Sequence, residues 1–293
     1  MGTPMENVAP GNHSGIVIAV VTCLLSLATT VVVARIYTRC VLVKAAGSDD
    51  WGALISWIFT FGLAIDMGLA TRHGFGYHTA ALKIETLIEY LKYFFALIIL
   101  YNLALTSIKI SFLLQYRRVF SRTKMQILCN VGIAIVGSWG LFQILLTIFF
   151  CKPVYGTWDV RIKSKCLPRL PYWYVNAAFN IATDIAIFLL PLPGLRKLQL
   201  HRSPKRVLIC VFCLGFFICI ISIIRITTLK EASVTLDITW HNVATASWSF
   251  AELTCGITCL CIPTLRPLAS RLFPGMAKSH WAYSRGARLS SAS

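Results

Sequence analysis

The chain has 293 residues, of which 57% are hydrophobic and only 13% are charged, and its formal net charge is +17. Soluble domains carry about 25% charged residues, so this composition excludes a soluble enzyme. The positive charge does not indicate nucleic-acid binding either, because the Lys and Arg residues cluster in alternate loops between apolar runs, as they do in membrane proteins.

Seven apolar runs occupy nearly all of the chain. Each is long enough to cross a bilayer, because about 20 helical residues span roughly 30 Å of hydrocarbon. We therefore predict an all-α membrane protein with seven transmembrane helices. In chain order, the predicted helices are Ser14–Tyr37, Trp51–Thr71, Glu89–Tyr116, Met125–Phe150, Tyr172–Leu195, Arg206–Leu229 and His241–Ile262.

The charges of the loops predict the orientation. Lys and Arg are more frequent in the loops after the first, third, fifth and seventh helices, and basic loops stay in the cytosol. We therefore predict an outer N-terminal tail at residues 1–13, a membrane domain at residues 14–270 and a basic, Ser-rich cytosolic tail at residues 271–293. The membrane is either the plasma membrane or an internal one.

Acidic residues and histidines flank the second predicted helix. Asp49 and Asp50 precede it, where carboxylates can cap free backbone N–H groups and meet the positive end of the helix dipole. In the loop that follows, Gly74 and Gly76 predict tight or left-handed turns. Three histidines are weak candidates for metal ligands, but they lack the close spacing of a metal site, and we predict no bound metal. They are His73, His78 and His241.

Two of the 11 cysteines stand apart from the apolar runs. Cys151 and Cys166 bracket a polar loop on the predicted outer side, where an oxidising compartment allows a disulfide. We favour this disulfide over two free thiols. Closing a loop of about 15 residues stabilises a protein by roughly 3 kcal/mol.

Five charged side chains lie away from the ends of the predicted transmembrane segments, where charges are costly and usually face the interior of the bundle. Asp184 and Glu252 lie near the midplane, given a rise of about 1.5 Å per residue. Asp66 and Arg225 lie towards the outer side, and Lys109 lies in the inner third.

Polar stripes on two helices predict a cavity. Asn176, Asn180 and Asp184 are spaced i, i+4, i+8 and therefore share one face of the fifth helix, which must avoid lipid. The seventh helix has a similar stripe that consists of Thr245, Trp248 and Glu252. Turned towards each other, these faces predict a polar, aromatic-walled cavity that opens to the outer side.

The intramembrane charges have two interpretations. In the first, Lys109 neutralises Asp184, and Arg225 neutralises Asp66 or Glu252, so that the charges only hold helices together. In the second, the same residues form a ligand or proton site, in which the two midplane carboxylates are suited to acid–base chemistry. The sequence leaves both open.

A series of short motifs runs through the chain in a characteristic order. They include Arg35-Ile-Tyr-Thr-Arg, Asp49-Asp-Trp, Gly74-Phe-Gly-Tyr-His, Ser107-Ile-Lys-Ile-Ser-Phe, Cys151-Lys-Pro-Val, Asn180-Ile-Ala-Thr-Asp, Leu190-Pro-Leu-Pro and Pro263-Thr-Leu-Arg-Pro. In this order they resemble the fungal rhodopsin-domain family of integral membrane proteins, which includes members of the satratoxin-cluster type. The resemblance covers residues 14–270.

The resemblance implies a seven-helix, receptor-like bundle. Some members of the family are regarded as receptor-like sensors, and others are encoded in secondary-metabolite gene clusters. Retinal is not expected, because rhodopsins bind it through a lysine in the seventh helix, and no Lys lies between His241 and Ile262. We predict no cofactor.

We therefore expect a receptor-like bundle that binds a small lipophilic molecule and has a link to secondary metabolism. The alternative is a membrane-embedded enzyme or accessory factor in a biosynthetic pathway, with Asp184 and Glu252 as its acid–base residues. The sequence does not decide whether a G protein is a partner.

Overall fold

The structure is a computed structural model, and it describes residues 13–120, 123–191, 215–227, 237–265, 267–268 and 271. Seven α-helices make up most of these residues. They are α1 (Ser14–Tyr37), α2 (Ser48–Arg72), α3 (Ile84–Val119), α4 (Thr123–Ile148), α5 (Arg169–Leu189), α6 (Gly215–Thr227) and α7 (Ile238–Cys261). The loop between α4 and α5 contains two short antiparallel strands, β1 (Cys151–Lys152) and β2 (Lys165–Cys166).

Five of the described helices, α1 to α4 and α7, are long and apolar enough to cross a membrane. In α1 and in α4, only 22% of the most apolar stretch is buried inside the bundle, which leaves the other apolar side chains for contact with lipid. The prediction of an all-α membrane protein is thus confirmed. The count of seven spans and the orientation stay predictions, since α5 and the described part of α6 are not among the five.

Proline sets the end of α5. The helix ends at Leu189 rather than at the predicted Leu195, because Pro191 lacks a backbone N–H and disfavours helical geometry in the residue before it. The predicted continuation beyond residue 191 lies outside the described residues, as do the first residues of the predicted sixth helix. By contrast, α1 has the predicted bounds.

The longest helix, α3, lies at the centre of the bundle. It contacts α2, α4, α5 and α7, while α1 packs on α2 and α7. Small residues let the helices approach closely: a Cβ atom at Gly140 of α4 would come within 2.6 Å of the side chain of Thr106 on α3. This packing brings the polar faces of α3, α5, α6 and α7 together.

The loop between α2 and α3 ties together the ends at which α1 and α7 begin. Gly74 and Gly76 have φ angles of 96° and 94°, which confirms the predicted left-handed turns. The carbonyl of Gly76 accepts a hydrogen bond from the N–H of His13 at 3.2 Å, and its own N–H donates to the carbonyl of Thr239 at 3.3 Å. We call this the disulfide end of the bundle, since the Cys151–Cys166 loop lies there too, and the opposite end the Arg35 end.

Candidate functional site

Four charged residues from four helices meet inside the bundle, and we call them the central charge network. They are Lys109 of α3, Asp184 of α5, Arg225 of α6 and Glu252 of α7, and each is at most 8% exposed. Lys109 Nζ lies 3.0 Å from Asp184 Oδ1, and Arg225 Nε lies 3.8 Å from Glu252 Oε2. Two cations therefore balance two anions.

Glu252 is the acceptor at the centre of this network. It accepts hydrogen bonds from Asn180 Nδ2 at 2.8 Å, from Ser222 Oγ at 2.7 Å and from the Tyr101 hydroxyl at 2.7 Å. Arg225 donates to the same hydroxyl and lies over the Tyr101 ring, 4.9 Å from its centroid. Burial of the carboxylate is thus offset by three donors and a cation.

Lys109 is the donor that links α3 to α5 in this network. Its Nζ donates to the backbone oxygen of Asn180 at 3.0 Å, to the side-chain oxygen of Asn180 at 2.5 Å and to Thr183 Oγ1 at 2.6 Å. With Asp184, the ammonium group has four acceptors for its three protons. The polar stripe of α5 thus faces the bundle interior.

Sequence reasoning did not single out Tyr101 and Ser222, since neither carries a charge at neutral pH. A signal was present in their spacing. Tyr101 precedes Lys109 by eight residues and Ser222 precedes Arg225 by three, and both intervals place two side chains on one face of a helix.

The remaining predicted residues are placed differently. Asn176 lines both cavities described below. Asp66 is 8% exposed on α2, and its Oδ2 has no hydrogen-bond partner among the residues that the structure describes. The ion pair of Arg225 is with Glu252, not with Asp66. Trp248 is half-buried and is not among the residues that line the two cavities.

A cavity of about 90 Å³, which we call the large cavity, lies between α3, α5, α6 and α7 on the side of the network nearer the disulfide end. Tyr101 and Arg225 belong to its lining. Its other apolar and aromatic residues are Phe94, Leu97, Ile98, Tyr172, Trp173 and Ala246, and its other polar residues are Asn102, Asn176, Asn242, Thr245 and Ser249. Its size suits one end of a lipophilic ligand rather than a whole drug-sized molecule.

A small cavity of about 20 Å³ lies between α3, α4 and α5. Asn102 and Asn176 line it as well as the large cavity, so the two adjoin. Trp139 and Phe179 stack in its wall, with ring centroids 4.0 Å apart. Gln143 also lines it and is 2% exposed.

The predicted disulfide between Cys151 and Cys166 is present and closes the loop between α4 and α5. Trp158 of this loop packs on Phe95 of α3, with ring centroids 5.4 Å apart. The loop is thereby held against the helices that form the large cavity. Hydrogen bonds from the side chain and the backbone of Arg161 lower the pKa of the half-buried Asp159 carboxyl in the same loop.

Two of the three candidate histidines have other partners. His78 Nδ1 lies 3.1 Å from Asp237 Oδ2, and its ring stacks on Trp240. The ring of His13 also contacts Trp240, with ring centroids 4.0 Å apart. His73 stacks on Tyr93, and His241 is half-buried in the first turn of α7. Within the described ranges, no three His, Cys, Asp or Glu side chains are grouped so as to hold a metal ion.

A second buried ionic group, the Arg35 cluster, lies at the other end of the bundle. Arg35 is fully buried, and its guanidinium lies 2.7 Å from Asp49 Oδ2 and 2.9 Å from Asp50 Oδ1. It also donates to Gln115 Oε1 at 3.2 Å and to the carbonyl of Leu260 at 2.6 Å. One side chain of α1 therefore joins α2, α3 and the last turn of α7.

Sequence reasoning assigned Asp49 and Asp50 to helix capping, which describes only part of their role. Asp50 does accept a hydrogen bond from the N–H of Gly47 at 2.9 Å, as a capping residue would. Both carboxylates are nevertheless buried against arginines, and Arg118 of α3 adds a contact of 2.8 Å to Asp49. Buried carboxylates need such cationic partners. The signal for this cluster in the sequence was the adjacent pair Asp49 and Asp50 together with Arg35.

Comparisons with known proteins give a family and a set of relatives. Residues 34–271 match the model of the fungal rhodopsin domain. A SAT4 family membrane protein of Emericella nidulans is 30% identical over 74% of this chain and 55% of its own length. Satratoxin biosynthesis SC1 cluster protein 4 of Stachybotrys chartarum is 27% identical over 59% of this chain and 63% of its own. Receptor GIN3 of Arthrobotrys oligospora is 26% identical over 86% of this chain and 62% of its own.

The matches thus span less than two thirds of each of these three relatives. No solved structure matches the chain significantly.

Proposed function

The chain belongs to the fungal rhodopsin domain family, and on that premise we propose that it is a receptor-like bundle that binds one end of a small lipophilic molecule in the large cavity. The observation that carries this proposal is the composition of the cavity lining. Aromatic and aliphatic side chains supply apolar area, and a few polar groups supply orientation, which is the usual make-up of a small-molecule site. A relative that is named a receptor supports the same function.

The contacts between the large cavity and the central charge network connect a bound ligand to movement of α7. A ligand that touches Tyr101 or Arg225 touches residues that bind Glu252 of α7. The same helix ends at the Arg35 cluster, where Leu260 accepts from Arg35. A ligand that binds one arrangement of these contacts more tightly than another shifts the bundle towards the arrangement that it binds more tightly. The size of the shift is set by the difference between the two affinities. We expect the response at the Arg35 end.

Photolabelling tests the binding site. Diazirine-bearing octanol, octanoic acid and octane would be photolysed with the full chain in phosphatidylcholine nanodiscs, and the labelled peptides mapped by mass spectrometry. We expect label at Tyr172 and Trp173, and we expect it to fall at least about fivefold in Ala246→Phe, which fills the cavity with a bulky ring.

Ala244→Phe is the matched control, since Ala244 is exposed on the same helix. It should keep the cavity label. If all three probes label only lipid-facing side chains, or if both variants lose the cavity label equally, the proposal is wrong.

We also propose a link to secondary metabolism, because a relative is named as a satratoxin biosynthesis cluster protein. An enzymatic role has less support for Glu252, which accepts three hydrogen bonds, than for Asp184, which pairs with Lys109 through Oδ1 while its Oδ2 has no hydrogen-bond partner among the described residues.

Metabolite profiling of a deletion strain, complemented with the wild type or with Asp184→Asn, separates the two roles. For a receptor, we expect altered metabolite levels without a single accumulated precursor. One accumulated precursor, not consumed in the Asp184→Asn strain despite normal protein levels, would favour the enzyme.

A further inference from the structure

The large cavity and the small cavity share part of their lining. Asn102 of α3 and Asn176 of α5 line both cavities, so the two cavities adjoin at these two amides. The small cavity, at about 20 Å³, has room for a water-sized group such as a hydroxyl, and not for a ring.

A buried acceptor belongs to a residue that lines the small cavity. Gln143 of α4 is 2% exposed, and its Oε1 has no hydrogen-bond partner among the residues that the structure describes. A buried carbonyl oxygen without a donor is unfavourable, and a ligand that brings a donor removes that cost. The small cavity therefore selects for an N–H or O–H group.

The neighbouring charges disfavour an ionic ligand. Lys109 also lines the small cavity, but Asn180, Thr183 and Asp184 already accept its three protons. The central charge network is neutral as it stands, so a carboxylate would add an uncompensated charge and would also face the Gln143 oxygen. An ammonium group would be uncompensated in the same way.

We infer that the ligand is a lipophilic alcohol, whose hydroxyl passes between Asn102 and Asn176 and donates to Gln143 Oε1 while its apolar part stays in the large cavity. This inference rests on the proposed function. It differs from the proposed function in predicting a preference for a neutral hydroxyl over a carboxylate or a plain hydrocarbon.

Competition against the diazirine-bearing octanol tests this preference, with the full chain in nanodiscs and unlabelled octanol, octanoic acid and octane as competitors. The free energy of one hydrogen bond corresponds to a roughly three- to tenfold difference in affinity. We therefore expect octanol to compete at a concentration that is lower by this factor than that of octanoic acid or octane. In Gln143→Leu the preference should vanish while octane competes as before.

Gln126→Leu is the matched control, because Gln126 is exposed on the same helix. Gln143→Met, which is close in volume, repeats the test if the leucine variant does not fold. Equal competition by all three compounds, or a preference for octanoic acid, would overturn the alcohol inference and leave the proposed site standing. Absence of label at Tyr172 and Trp173 with every probe would instead overturn the proposed function.

Discussion

Replacement of Arg35 by leucine is expected to lower the free energy of unfolding by about 3–5 kcal/mol. The reason is that Asp49 and Asp50, which are 0% and 4% exposed, would lose the cation that lies between them. Gln115 and the carbonyl of Leu260 would also lose a donor. Thermal and denaturant unfolding of the purified protein in detergent, together with its yield from membranes, measures the effect.

Arg39→Leu is the matched control for this prediction. The Arg39 side chain is 17% exposed and approaches Asp49 and Asp50 only to 3.7 Å and 3.6 Å. Looser and partly solvated pairs contribute less, so we expect a loss of about 1 kcal/mol or less. Equal losses in the two variants would show that the Arg35 cluster stabilises the fold through total charge rather than through the buried contacts of Arg35.

Glu252→Ala is expected to be comparably damaging, with a loss of about 3–5 kcal/mol. It removes the carboxylate that accepts from Tyr101, Asn180 and Ser222, and it removes the ion pair between Glu252 and the buried Arg225. Thermal unfolding of the purified variant gives the magnitude.

A double-mutant cycle with Arg225→Met shows whether charge is the cause. We expect the double variant to be more stable than Glu252→Ala alone, because it removes the arginine charge together with the carboxylate that lies beside it. If the loss of stability in the double variant equals the sum of the losses in the two single variants, the contact between Arg225 and Glu252 contributes nothing to stability.

The parts of the fold that follow from hydrophobicity were predictable. The long apolar runs define helices, and burial of charges in lipid is so costly that Lys109, Asp184 and Glu252 had to face inwards. The disulfide followed from the position of Cys151 and Cys166 around a polar loop. These arguments depend on single helices or single loops.

What the sequence left open depends on how helices are rotated against each other. Several cations and anions were available, and only the packing of α3, α5, α6 and α7 pairs Arg225 with Glu252 instead of Asp66. Trp248 was expected to line the cavity, but the stripe of α7 that does so runs through Asn242, Thr245 and Ser249. Trp248 lies at the edge of that stripe, since a helix advances about 100° per residue.

The order of the charges along the chain bears on how the protein is made. Lys109 emerges from the ribosome before Asp184, and Arg225 before Glu252, so each cation enters the translocon ahead of its carboxylate partner. A nascent chain that stops before α7 lacks Glu252, the carboxylate that lies beside Arg225 in the folded bundle. Completion of α7 thus supplies the acceptor on which Tyr101, Asn180 and Ser222 converge, so that α3, α5 and α6 gain their shared contact last.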